Sequence, residues 1–209
     1  LKCVTTPTNA TPAEKAVAEN NSTNNYDVLL CVYVSDPIPA QTITGTVKGQ
    51  ILCRESSSAA NFRSQMVVKV VSNDGSTVRG TLLAADTGTT LSDEWNLGTS
   101  NFQSAKFPRG WSGSGASLSS VSAQANDRIV IELGYRAHNT STTSYTGAFF
   151  LNDESGDTDL SEGGSENDTP STPDYRSWIE FSADLFSGGG GGIIWNPLTG
   201  PLNDMRYVA

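Results

Sequence analysis

The amino-acid sequence predicts an all-β fold, an antiparallel β-sandwich of jelly-roll type with long loops and an extended C-terminal tail. Three observations predict it. Apolar residues recur with period two in several segments of strand length, and successive side chains on a strand point to opposite faces of a sheet. Charged residues make up only 17% of the chain, and much of the polar remainder is Ser, Thr, Asn and Gly, which suit turns and wet strand faces better than helices. No long apolar stripe runs at helical spacing. With 209 residues one substantial core is expected, a sandwich over residues 1–187.

Residues 1–25 read as an N-terminal arm or edge strand. Thr11-Pro12-Ala13-Glu14 offers a helix N-cap followed by Pro at the first helical position, so residues 11–19 stay open between helix and edge strand. Residues 27–35 place Val28, Leu30, Val32 and Val34 on one face and Leu29, Cys31 and Tyr33 on the other, a strand covered on both sides and stopped by Pro37 and Pro39. Residues 41–53 turn Ile43, Val47 and Ile51 inward and Thr42, Thr44, Thr46, Lys48 and Gln50 toward water. Residues 64–71 and 77–84 form a hairpin around Asn73-Asp74-Gly75, a cluster that supplies the positive φ of a tight turn. Residues 85–116 are irregular and hold Trp95, Phe102, Phe107 and Trp111. A second hairpin is expected between 117–123 and 128–136 through Gln124-Ala125-Asn126-Asp127, with Ile129, Ile131, Leu133 and Tyr135 on one face. Residues 143–151 carry Tyr145, Phe149 and Leu151 inward, and 175–182 bring Ile179 and Phe181 opposite Trp178. Between these last two, the acidic, Gly- and Ser-rich stretch 152–174 reads as a mobile surface loop. Buried faces of this kind contribute about 1.5–3 kcal/mol per large apolar side chain.

Beyond the sandwich, the pentaglycine 188–192 reads as a tether and 193–209 as an apolar tail. Ile193, Ile194, Trp195, Leu198, Leu202 and Tyr207 are its candidate docking residues; docking on a neighbour and folding back on the same sandwich are weighed equally.

Several function classes are disfavoured. A formal net charge of −9, with 13 Lys and Arg scattered, does not suit a surface that tracks nucleic-acid phosphates. No apolar run has the length of a bilayer span; the chain opens at Leu1 with no signal-peptide pattern, and a processed leader stays open. Cys3, Cys31 and Cys53 lack metal-site spacing, leaving one disulfide with a spare thiol, or three reduced thiols, as the readings. The single His138 has no nucleophile elbow or metal motif around it. Glu132 and Glu180 are the candidate carboxylate pair for glycoside hydrolysis, although alternation turns each toward solvent. The expectation is a protein that is not an enzyme and has no cofactor.

Binding remains. Asn152 to Asp159 offers closely spaced oxygen ligands that Ca²⁺ accepts, yet departs from the EF-hand pattern, so an unliganded loop is preferred. Asn9, Asn20, Asn21, Asn139 and Asn167 begin N-x-S/T sequons, about as many as chance gives in so Ser- and Thr-rich a chain. Trp95 and Trp111 form a candidate glycan platform, with Trp195 as a third aromatic, against the preferred reading of all three as core or interface packing.

Tyr33-Val34-Ser35-Asp36-Pro37, Gln41 to Gln50, Val70 to Leu83, Asn126 to Arg136 and Trp178 to Ser182 resemble a group of uncharacterised tailed-phage and environmental viral proteins, a likeness spanning about residues 26–182. The resemblance implies a virion component and brings no catalytic residue with it. The resulting expectation is a virion structural protein, a capsid decoration or tail-surface subunit at the virion surface or outside the cell. Its partners are copies of itself or a capsid or tail protein. The alternatives are a carbohydrate-binding module that recognises surface glycans, and a subunit of a cellular extracellular filament with strand exchange.

Overall fold

The computed structural model describes residues 13–20, 25–87, 94–95, 103–107, 115–138, 143–151, 167–168, 178–186 and 193–195. Every regular element among them is a strand: β1 (Ala13–Asn20), β2 (Tyr26–Val34), β3 (Gln41–Ile43), β4 (Thr46–Glu55), β5 (Arg63–Val71), β6 (Val78–Leu83), β7 (Gln103–Phe107), β8 (Ala116–Ser117), β9 (Val121–Ala123), β10 (Arg128–Ala137), β11 (Ser144–Leu151), β12 (Asn167–Asp168), β13 (Trp178–Phe181) and β14 (Ile193–Trp195). All pairings are antiparallel. The fold class is all-β and sandwich-like, as the period-two pattern predicts.

The larger sheet is organised on β4. Leu52 and Cys53 pair with both β7 and β11, and Gly49 and Gln50 with both β7 and β13. The strand therefore carries β11 and β13 end to end along one edge and β7 along the other. β1 adds to β11, β14 to β13, and β12 to β7. The second sheet runs β2-β10-β5-β6, and β3 and β9 form a two-stranded third. One core joins them: Val47, Ile51, Tyr145, Phe149, Ile179 and Phe181 from the larger sheet meet Val28, Leu30, Tyr33, Val68, Val70, Leu82, Ile129, Ile131, Leu133 and Tyr135 from the second.

Several inward rows follow the alternation, including Ile129, Ile131, Leu133 and Tyr135, at most 2% exposed. The row on β2 does not. Leu133 pairs with Cys31 and Gly134 with Leu29, leaving Leu30 as an extra residue in a bulge. The bulge reverses the parity of the strand, so Val28, Leu30 and Tyr33 are buried while Leu29 and Val34 are 48% and 39% exposed. The strand is thus not covered on both faces. Gly134 permits the bulge, since a Cβ there would stand 1.8 Å from the Val28 carbonyl oxygen.

Other expectations are corrected by local chemistry. Residues 41–53 are two strands, broken at Gly45, whose φ of +103° favours glycine. Ile43, Val47 and Ile51 are buried as the alternation predicts, but Gln50, expected to face water, is buried at 2% exposure. Residues 117–123 and 128–136 do not form a hairpin: β9 pairs with β3, and β10 with β2 and β5. The turn before Asp127 passes the chain from one sheet to another, with Asn126 at φ +70°. Residues 13–20 take the edge-strand reading rather than the helix. The stretch 85–116, read as irregular, contains β7 and the first residue of the two-residue β8, and Asn167 and Asp168 of the acidic stretch pair with β7.

The expected hairpin of β5 and β6 forms. Gly75 sits at φ +74° and donates to the Ser72 carbonyl at 2.8 Å. The Asp74 carboxylate accepts from the Ser72 hydroxyl and from the Ser76 amide and hydroxyl. These bonds hold the Asp74 carboxyl down at about 2.

Candidate functional surfaces

The buried polar groups brace the scaffold. Asp127, 2% exposed, accepts the Gln124 amide at 2.7 Å and the Arg79 guanidinium at 3.1 Å, tying the sheet-changing turn to β6. Ser35 replaces a missing rung where β2 ends: its hydroxyl oxygen accepts the Ile129 amide at 2.8 Å and its own amide donates to the Ile129 carbonyl. Gln65 bonds the Asp86 backbone through both ends of its amide and also reaches Asp27, which pairs with Arg136 at 2.9 Å.

The candidate carboxylate pair is not assembled. Glu132 and Glu180 alternate with inward residues on β10 and β13, so they lie on the outward faces of different sheets. Each meets a lysine: Lys69 lies 2.7 Å from Glu132 and Lys48 3.6 Å from Glu180. His138, partly buried, engages the 60–61 segment through its backbone, donating to the Ala60 carbonyl and accepting from Asn61 Nδ2. Among the described residues no group of three or more His, Cys, Asp or Glu is arranged to hold a metal, and no helix is long and apolar enough to cross a membrane. The calcium candidate at 152–159 lies outside the described residues.

Trp95 is corrected as a glycan platform. It is 1% exposed, its ring lies 6.0 Å edge-on from Phe62 and 5.7 Å from both Tyr135 and Phe149, and its Nε1 donates to Ser64 Oγ at 3.1 Å. A ring enclosed by other aromatics offers no face to a sugar. Trp111 lies outside the described residues. Cys31 and Cys53 form no disulfide with each other, and Cys3 lies outside the described residues.

Among the described residues, two further surface features belong to strand edges. β2 ends the second sheet, and the reversed parity brings Leu29 and Val34 together on its outward face. On the larger sheet, Ile193, Ile194 and Trp195 pair through their backbones with Phe181, Glu180 and Ile179 of the same chain. Leu198, Leu202 and Tyr207 lie outside the described residues.

Sequence reasoning missed one buried acid. Glu55, 0% exposed, closes the inward row Val47, Ile51, Cys53 on β4, and extending the alternation by one step finds it. Its Oε2 accepts the Phe62 amide at 2.9 Å, and Oε1 has no partner among the described residues. Burial pushes its carboxyl up to about 8, with the charge of Glu94 adding to the rise and the Phe62 bond opposing it. Glu94 is also raised by burial, against the pull of Arg63.

The class these features define is an antiparallel, sandwich-like all-β protein. No protein-family model matches the chain, and no curated protein matches it. Among solved structures, chains of infectious bursal disease virus are similar over 68% of this chain: the Gx strain at 11% identity and TM-score 0.22, the Gt strain at 13% and 0.21. The match spans 40% and 36% of those viral chains. Overlap at these TM-scores bears on neither fold nor function.

Proposed function

We propose that the chain is a virion structural protein, a capsid decoration or tail-surface subunit that acts in assembly or attachment and not in catalysis. The observation that carries the reading is the terminal strand: β14 joins the edge of β13 by backbone pairing, beyond a pentaglycine. Such pairing reads the partner's backbone, so the same strand can add to β13 of another copy. The reading is further supported by the exposed Leu29 and Val34 on the end strand β2, by the net negative charge that keeps outer faces soluble, and by the resemblance of residues 26–182 to viral proteins. The separation of Glu132 from Glu180 weighs against that pair as a glycosidase centre.

Deleting residues 193–209 tests the proposal. The expected result is a folded chain, by circular dichroism and cooperative melting, that no longer assembles in sedimentation or joins particles. Normal assembly of the truncated chain overturns the docking role. An extracellular filament subunit using the same strand exchange is separated by imaging the native assembly, where helical rather than closed symmetry favours the filament.

A further inference from the structure

We propose that Glu55 is a proton-held latch: as a neutral acid it ties the crossover between the two sheets to the inner row of β4, and its ionisation releases that end of the sandwich. The geometry comes first. Residues 56–62 carry the chain from β4 in one sheet to β5 in the other, and Glu55 and Phe62 stand at the two ends of this crossover. The Glu55 carboxyl closes it through the Phe62 amide. Phe62 is itself a junction: its carbonyl accepts the Trp95 amide at 2.8 Å, and its ring stacks on Tyr135 at 4.0 Å between centroids. Opposite Glu55 on β11 is Gly147, where a Cβ would stand 2.4 Å from the Tyr135 ring. The carboxyl is thus buried at the closed end of the crossover, with one oxygen lacking a partner among the described residues.

The charged and titratable groups on the surrounding elements do not favour a carboxylate. On β4 they are Cys53, buried on the same row, and Arg54 on the alternate face; on β11, Tyr145; at the start of β5, Arg63. The bridge segment brings Glu94, and β10 brings Tyr135 and Arg136, with His138 just beyond its end. Glu94 repels a charge on Glu55. Arg63 acts on Glu94, and Arg136 is paired with Asp27. A buried anion so placed recovers its hydration only if water enters, which means local opening of this end.

The direction follows from linkage. The folded chain holds the Glu55 proton up to about 8, against an ordinary value of 4.5. The stabilisation is thus fully present below 4.5 and is lost as pH rises through 8. The folding constant falls by at most about tenfold per pH unit inside that window.

The test is urea unfolding of the full chain from pH 5 to pH 9, with amide hydrogen exchange at Phe62 and Trp95 corrected for the intrinsic base-catalysed rate. Wild type is expected to lose stability across the window and protection at both amides together. Glu55→Gln keeps an acceptor for Phe62 and carries no charge, so it should flatten the slope and retain protection at pH 9. Equal slopes in the two proteins overturn the proposal. Should the variant not fold, wild type and Glu94→Gln labelled with carboxyl-¹³C glutamate give a second measurement. Wild type should show one glutamate titrating near 8, and Glu94→Gln should keep one glutamate raised by burial but lower than in wild type, since the Glu94 charge is gone; ordinary titration of every glutamate in Glu94→Gln overturns the latch.

Discussion

Gly134 and Gly147 show how two absent side chains hold the core in register. Gly134 admits the bulge that turns Tyr33 inward, and Gly147 leaves the room that the Tyr135 ring fills. Gly134→Ala drives a methyl against the Val28 carbonyl and is expected to cost about 2 kcal/mol or more, read as a lower urea midpoint. Trp95→Phe removes the bond to Ser64 and leaves a void among Phe62, Tyr135 and Phe149. A loss of about 2–3 kcal/mol is expected in the same assay, with no change in any glycan binding. Asp127→Ala leaves the Gln124 amide and Arg79 without their acceptor and is expected to cost about 2 kcal/mol. A neutral outcome for Asp127→Ala removes it as a brace.

At the scale of elements, strands with one wet face were legible. Ile43, Val47 and Ile51, or Ile129 to Tyr135, alternate because one side meets the core and the other meets water or polar neighbours. What alternation does not encode is an irregularity within a strand. The extra residue at Leu30 has no signature in the run of apolar residues around it, since both parities look buried. The partner of a strand is also not local information: Gln124 to Asp127 has turn chemistry whether the flanking strands pair with each other or part between sheets. Glu55 was missed because a carboxylate on an inward row looks like the end of the row rather than part of it. The hairpin of β5 and β6 was legible because Asn73-Asp74-Gly75 both demands and supplies its turn. Asp74 titrates near 2 against an ordinary 3.8, so its contribution is present above 3.8 and lost as pH falls through 2. Asp74→Asn should therefore flatten the acid limb of the stability profile while leaving the neutral region nearly unchanged; an unaltered acid limb shows that the turn bonds add nothing.

For the molecule as a whole, the two main sheets share one core, Glu55 is buried in it while Asp74 sits on an exposed turn, and the outward acids Glu132 and Glu180 each lie beside a lysine. Among the described residues, the chemistry that suits contact with other molecules includes two strand edges: β2 with its two outward apolar side chains, and β13 with the strand that follows the pentaglycine. The most direct measurement of an assembly role is cross-linking mass spectrometry on particles built from an equal mixture of isotopically light and heavy chains. Strand exchange should give mixed light–heavy links joining residues 193–209 of one copy to β13 or its neighbours in another. Links confined to chains of a single isotope, in a fully assembled particle, would contradict it.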